Sequence, residues 1–251
     1  MKKNLLKLVT LSLLLLNCNS VFSEEIPTLS KLNLFERELN EKDTSSSCDI
    51  IYGDISLDFN IEKEFLSGKA NFVIENTNKT PISSTFFVLN SGLSINELSI
   101  TGASISETIK EKTTDDSPVG YVIYFDKPIK QNQKVNLGIS YKGNIISKYK
   151  FGRIKDNDIF LTSQTYFYPR FEKVNTKFSK INLKVSTPKD YIPVTQSDKT
   201  SNDNNLYSFE INNLNGLKND NGFNLAIAKY NLYKKDNLSI YYKDDTESEL
   251  L

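Results

Sequence analysis

From residue 49 onward, hydrophobic and polar side chains alternate in short runs, the period-two pattern of strands with one buried face. The runs cover residues 55–61, 70–74, 121–125, 135–141, 181–185, 207–211 and 238–242. About a dozen such strands, spaced about 8–12 residues apart, favour antiparallel sheets over a parallel sheet with crossover helices. The pattern therefore predicts an all-β domain over residues 49–245, organised as an antiparallel β-sandwich or saddle-like domain.

Two local features refine this alternation. Ser67-Gly68 predicts the turn that joins the first two strands as a hairpin. Farther along, the hydrophobic positions step by an odd number between Ile95 and Leu98, which predicts a β-bulge at residues 96–97.

One aromatic segment, residues 166–170, interrupts the strand pattern with three aromatic residues, a proline and an arginine. Pro169 cannot donate a ladder hydrogen bond, so the segment is expected at a strand end or sheet edge. Its aromatic rings either pack in the core or form a binding platform. The candidate substrate-binding residues here are Gln164, Tyr166, Tyr168 and Arg170.

The N-terminus has the pattern of a signal peptide over residues 1–23. Two lysines precede an apolar run from Leu5 to Leu16, which is too short to span a membrane. Small residues near position 23 predict a mature chain that starts near Glu24 and is exported to the periplasm or secreted. Lipidation at Cys18 is the alternative, but the preceding Asn17 fits a lipobox poorly. No transmembrane segment is expected in the mature chain.

The predicted β-domain has a short segment on each side. In the leader, residues 24–48, hydrophobic residues from Leu29 to Leu39 recur at helical spacing and predict one short amphipathic helix. At the other end, Thr246 and Glu249 have the spacing of a capping box, so residues 246–251 are interpreted as the start of a truncated helix.

The chain of 251 residues contains no histidine. This excludes a zinc site of the H-E-x-x-H type, a Ser-His-Asp triad and a Cys-His pair built from these residues alone. The phosphate-binding glycine motifs are also missing from the sequence. We therefore predict no catalytic residue, no metal ligand set and no cofactor in this chain.

Charge and cysteine content narrow the picture further. Without residues 1–23 the chain has 28 basic and 31 acidic residues and a net charge of −3. That balance does not favour nucleic acid as a partner. Cys48 would be the one cysteine left, so the mature monomer could form no internal disulfide and must be held together by burial.

Three passages together resemble the N-terminal domain of the M1 family of zinc aminopeptidases, the gluzincins. The first is ISLDFNIEKEFLSGKANFVIENT followed by LNSGLSINELSITG, and the second is YVIYFDKPIKQNQKVNLGISYKGNI. The third is the stretch from Ile159 to Lys189 followed by FNLAIAKYNLYKKDNLSIYYKDD. Shorter bacterial members often read W-Y-P where this chain has Phe167-Tyr168-Pro169, and Asn132 stands where a glycine is usual.

The resemblance implies that chemistry belongs to a second, helical domain, which has G-A-M-E-N and H-E-x-x-H motifs that this sequence lacks. Zinc is then expected only in that absent catalytic domain. In the family, the N-terminal domain lies beside the catalytic domain and contributes one Gln or Glu to the substrate's amino terminus. By position, Gln164 corresponds to that residue.

Two functions follow from these observations. In the first, the chain is the non-catalytic N-terminal domain of an exported M1-type aminopeptidase, in a truncated or split form. It is inactive alone, and its partner is a separate catalytic domain or a peptide substrate. In the alternative, it is a stand-alone exported β-sandwich that binds protein, peptide or glycan.

Overall fold

The computed structural model describes residues 49–112, 118–146, 152–155, 157–171, 180–197, 199–212, 222–235 and 238–243. Within these ranges the chain forms sixteen β-strands, one 3-10 turn and no α-helix, which confirms the predicted all-β class. The predicted signal peptide, helical leader and C-terminal helix lie outside the described residues. None of the described residues belongs to a helix long and apolar enough to span a bilayer.

The strands are short to medium in length and follow one another without intervening helices. In chain order they are β1 (Asp49–Asn60), β2 (Phe65–Glu75), β3 (Ile82–Leu89), β4 (Leu93–Thr101), β5 (Ile105–Lys112), β6 (Val119–Ile129), β7 (Lys134–Asn144), β8 (Gly152–Lys155), β9 (Asp158–Leu161), β10 (Lys180–Ser186), β11 (Ile192–Thr195), β12 (Lys199–Asp203), β13 (Leu206–Asn212), β14 (Leu225–Ala228), β15 (Asn231–Lys235) and β16 (Leu238–Tyr242).

These strands form four sheets. The largest has seven strands in the order β12-β13-β10-β1-β2-β7-β4. The others are a four-stranded sheet, β11-β14-β9-β8, a three-stranded sheet, β3-β6-β5, and the two-stranded hairpin β15-β16. One face of the large sheet packs into a hydrophobic core that also receives side chains from β3, β6, β9 and β14. The alternation of buried and exposed positions along β1 and β2 shows that the second face of the large sheet is open to solvent.

Strand direction agrees with the antiparallel prediction except at one pair. β10 runs parallel to β1, from Gly53 opposite Ile181 to Asp58 opposite Ser186. Antiparallel neighbours such as β1 and β2 follow each other along the chain, whereas β10 joins β1 from far away in sequence. Alternation specifies which face of a strand is buried but not the direction of its neighbour, so the sequence pattern could not reveal this pair.

The predicted bulge in β4 is confirmed. Ile95 lies opposite Tyr141 and Glu97 lies opposite Ser140, so Asn96 is the extra residue in the ladder. The extra residue explains the odd step in the hydrophobic pattern. Because it shifts the alternation by one position, Leu98 and Ile100 face the same side of the sheet as Ile95.

The predicted turn at Ser67-Gly68 is wrong. Both residues lie inside β2, and the connection from β1 is made by residues 61–64, where Glu64 has a φ of 51°. Gly68 is required by packing, because a Cβ there would lie 2.2 Å from Cζ of the buried Tyr141 ring on β7. The glycine marks a close approach in a strand rather than a chain reversal.

Aromatic rings connect the large sheet to the three-stranded sheet through Phe171. Its ring lies 5.0 Å from Phe72 of β2 in an edge-to-face arrangement and 5.8 Å from Phe87 of β3. Phe87 in turn stacks on Tyr121 of β6 at 5.1 Å. All four rings are buried, so Phe171 fills the space between two sheets that share no hydrogen-bonded strand pair.

This packing predicts that Phe171→Ala lowers the free energy of unfolding by about 3–5 kcal/mol, since it removes a buried ring and leaves a cavity between the sheets. Phe160→Ala is the matched control, because Phe160 on β9 is 46% exposed, and it should cost less than about 1 kcal/mol. Urea unfolding followed by circular dichroism measures both values. Equal losses in the two variants would contradict the bridging role of Phe171.

Candidate functional site

The aromatic segment begins where β9 ends. A single 3-10 turn, Ser163–Thr165, follows the strand, and Tyr166 then adopts the left-handed conformation with φ 52° and ψ 40°. Such a conformation costs a non-glycine residue roughly 1 kcal/mol or more, so neighbouring contacts must hold it in place. The contact that does so comes from Asn90, which follows β3.

Asn90 is buried and joins three parts of the chain. Its backbone N–H donates to the Tyr166 carbonyl at 2.8 Å, and its side-chain Nδ2 donates to the carbonyls of Thr165 and Ile146, each at 2.8 Å. Its Oδ1 accepts hydrogen bonds from the N–H groups of Gly92 and Ile146, each at 3.0 Å. The amide thus satisfies backbone groups of the β3–β4 turn, the chain after β7 and the 3-10 turn that precedes the aromatic segment.

Sequence reasoning missed Asn90. The one sequence feature that marks it is its place in Asn90-Ser91-Gly92, directly after the hydrophobic strand β3, and such a triplet is typical of an ordinary turn. The contacts of Asn90 with residues 146 and 165 are far apart in sequence, so no local sequence pattern predicts them.

Arg170 is held by its backbone and its side chain. It forms an isolated antiparallel bridge with Val88, in which the N–H of each donates to the carbonyl of the other, at 2.8 and 2.9 Å. Its guanidinium lies over the Tyr166 ring, 5.5 Å from the ring centre. Both side chains are buried, so the structure brings these two candidates together inside the protein.

Tyr168 is part of a fully buried aromatic cluster with Phe167 and Phe223. It stacks on Phe223 with ring centres 4.5 Å apart, and Phe167 meets both rings edge to face. The Tyr168 hydroxyl also accepts a hydrogen bond from the Phe223 N–H at 3.3 Å. The structure therefore places Tyr168 in the core, with its polar end already engaged by the chain.

Gln164 is the exposed member of the four candidates. It lies in the 3-10 turn between the buried residues Ser163 and Thr165, and the Ser163 N–H donates to Oδ1 of Asn224 at 2.9 Å. The residues on both sides of Gln164 are buried and hydrogen-bonded. The backbone of Gln164 is therefore fixed, while its side-chain amide is exposed at the protein surface.

A second surface that sequence reasoning left unassigned is the hairpin β15–β16. This hairpin contains four of the seven large hydrophobic residues that are exposed in the described part of the chain. They are Leu232, Tyr233, Leu238 and Tyr241, which are 40%, 43%, 56% and 39% exposed. Leu232 lies opposite Tyr241, whereas Tyr233 lies opposite Ile240 on the other face of the hairpin. Both faces of the hairpin therefore present apolar surface.

The described residues do not fit a zinc site. Across the ranges that the structure describes, no three His, Cys, Asp or Glu residues lie close enough together to hold a metal ion. The missing histidines remove the preferred neutral nitrogen ligand as well.

No protein-family profile matches the chain, and no curated protein matches it. Solved structures do match. An M1 zinc metallopeptidase from Deinococcus radiodurans has a TM-score of 0.52 at 11% identity, covering 78% of this chain and 46% of that one. Leukotriene A4 hydrolase from Saccharomyces cerevisiae has a TM-score of 0.57 at 15% identity, covering 81% and 33%.

The chain shares the fold of one part of M1 zinc metallopeptidases. A two-domain M1 zinc metallopeptidase bound to L-arginine gives the same result, with a TM-score of 0.54 at 11% identity over 78% of this chain and 47% of that one. This chain spans less than half the length of these proteins, which is consistent with an N-terminal domain. The resemblance inferred from three sequence passages is thus confirmed at the level of the fold.

The geometry around Asn90 predicts that Asn90→Ala lowers the free energy of unfolding by about 2–4 kcal/mol, because it leaves buried backbone groups without partners. Asn144→Ala is the matched control. Its Nδ2 also donates to two carbonyls, those of Lys63 and Glu64, but at an exposed position, where water can replace it at a cost of about 1 kcal/mol or less. Chemical denaturation of both variants measures the difference, and a similar loss in each would contradict the anchoring role of Asn90.

Proposed function

We propose that this chain is the non-catalytic N-terminal β-domain of an exported M1-type zinc aminopeptidase, which provides a docking surface for a catalytic domain. The observation that carries the proposal is the apolar hairpin β15–β16 on a domain with the M1 fold. In this proposal zinc and the hydrolytic chemistry belong to the partner domain, because the sequence contains no histidine and the described residues do not fit a metal centre.

The hairpin has the physical properties of an interface. A two-stranded hairpin is marginally stable in water and needs packing against another surface. Here Leu232, Tyr233 and Leu238 are each at least 40% exposed, and exposed apolar side chains that cluster in this way mark sites of protein association. We infer that the catalytic domain covers this hairpin.

Charges around the hairpin suggest how the partner is oriented. Lys234 and Lys235 lie on β15. Lys243, which follows β16, is already paired with the Asp158 carboxylate at 2.5 Å and adds no net positive charge. Two lysines on one strand of an apolar hairpin fit a partner surface with carboxylates on the matching side, which favours one orientation of docking.

Gln164 is the residue of this chain that we propose contacts the substrate. Its exposed side chain offers a carbonyl oxygen, which accepts hydrogen bonds from an ammonium group such as a peptide amino terminus. Tyr166 and Arg170, which follow this turn, are buried and pack on each other, and Tyr168 lies in the core beside Phe223.

Docking predicts that Leu232→Lys combined with Leu238→Lys weakens association at least about tenfold, because these residues lie on opposite faces of the hairpin and at least one lysine would have to be buried whichever face docks. The partner to be tested is the polypeptide from the same genome that has an H-E-x-x-H motif in an M1-type helical domain, co-expressed and titrated by calorimetry. Leu206→Lys is the matched control, since Leu206 is 42% exposed but lies on β13 of the large sheet. It should leave the Kd unchanged.

The chain alone should not hydrolyse aminoacyl amides with zinc added, and activity should depend on the partner. Turnover by the purified chain that a chelator abolishes would overturn the non-catalytic assignment. Failure of every such partner to bind, or an equal loss of affinity with Leu206→Lys, would contradict docking through the hairpin and favour the stand-alone binding module.

A further inference from the structure

A groove of about 440 Å³ crosses the exposed face of the large sheet. Four serines line it, one on each of the neighbouring strands β10, β1, β2 and β7: Ser186, Ser56, Ser67 and Ser140. Serine side chains are short, so they leave a hollow between the longer side chains around them. The hollow is floored by hydroxyl groups, which both donate and accept hydrogen bonds.

Three exposed lysines, Lys69, Lys142 and Lys184, line the same groove. In the strand register, Lys69 and Lys184 lie opposite Ser56, and Lys142 lies opposite Ser67. In the described part of the chain, none of the three has a carboxylate within ion-pair distance.

Other lysines on the same face of the sheet are paired with carboxylates. Lys180 and Lys199 contact Glu210 at 3.0 and 3.7 Å, and Lys134 contacts Glu75 at 3.7 Å. A hydrogen bond from Asn212 and the nearby Lys180 hold the pKa of Glu210 below its usual range. Lysines on either side of the groove are thus paired with carboxylates, whereas the three groove lysines form no ion pair in the described part of the chain.

The carboxylate of Asp58 narrows the class of ligand. It is the one acidic side chain that lines the groove, so the three lysines leave a net charge of +2 there. A carboxylate repels a bare anion but accepts hydrogen bonds from hydroxyl groups. A ligand that satisfies the charged and hydroxyl groups of the lining therefore has both anionic groups and hydroxyls.

The spread of the three lysines over four strands favours a ligand longer than a single small anion. Lys184 on β10 and Lys142 on β7 are separated by three inter-strand steps, which is about 14 Å at the usual strand spacing. An oligomer with several charges spans that distance. An acidic peptide fits less well, because extended peptides pair with sheet edges and place side chains in pockets, whereas this groove crosses the centre of a sheet.

We propose that this groove is a binding site for an acidic oligosaccharide. The ammonium groups of Lys69, Lys142 and Lys184 bind its carboxylate or sulfate groups, while Asp58 and the serines bind its hydroxyls. The site lies on the large sheet, so it is independent of the docking role assigned to the hairpin β15–β16.

The test measures binding of the full chain to a heparin-derived tetrasaccharide and to a galacturonate oligomer by calorimetry. The combined variant Lys69→Gln, Lys142→Gln and Lys184→Gln should raise the Kd at least about tenfold, since each exposed charge contact contributes modestly. The control variant Lys134→Gln, Lys180→Gln and Lys199→Gln removes the same charge from the same face and should leave the Kd within about threefold. Binding should weaken as salt increases.

A second variant tests the shape of the groove without altering its charge. Ser56→Tyr fills the floor with a residue that strands tolerate well and should also raise the Kd about tenfold. Ser201→Tyr, on the exposed edge strand β12, should have no effect. Circular dichroism confirms that each variant is folded before its affinity is compared.

Several results would overturn the proposal. These are no binding of either oligosaccharide, equal losses in the groove and control variants, or equally tight binding of a neutral oligosaccharide. Inorganic phosphate binding as tightly would show a simple anion site, and polyglutamate binding more tightly would show a surface for an acidic protein.

Discussion

The side-chain amide of Asn90 joins three separate parts of the described chain, and the course of the chain after β9 depends on it. The chain after β9, residues 162–171, has no regular strand. Such a stretch can be buried only if its backbone groups find hydrogen-bond partners, because water cannot reach them. Asn90 provides those partners to chain segments 56 and 75 residues away along the sequence. With the backbone fixed in this way, the segment can place Tyr168 in one aromatic cluster and Phe171 between two sheets.

This arrangement separates what supports the fold from what faces the solvent. Tyr166, Tyr168 and Arg170 look like a recognition motif in the sequence, yet their side chains are buried and engaged with one another or with the core. The surfaces that remain available differ in chemistry. The hairpin β15–β16 is apolar on both faces, whereas the groove on the large sheet is cationic and lined by serines. Different partners are expected for surfaces so unlike each other.

The likeness to M1 zinc metallopeptidases and to leukotriene A4 hydrolase at 10–15% identity shows how little of a β-domain depends on particular residues. Alternation, turns and bulges define the strands, and many side chains satisfy the same pattern. A catalytic zinc site allows much less sequence variation, because it needs specific ligands in a specific geometry. A domain can therefore keep the fold and have no catalytic residue, and its function must be argued from its own surfaces.

The sequence by itself determined the all-β class, the bulge at Asn96 and the exclusion of histidine-based chemistry, because each depends on local pattern or on composition. It could not determine the parallel pairing of β1 with β10, the role of Asn90 or the burial of Tyr168. The turn predicted at Ser67-Gly68 was wrong, because Gly68 makes room for the Tyr141 ring on the neighbouring strand β7. Likewise, only the sheet register shows that Lys69, Lys142 and Lys184 surround one groove while other lysines are paired. These features arise from contacts between residues far apart in the chain, and such contacts exist only once the strands have assembled.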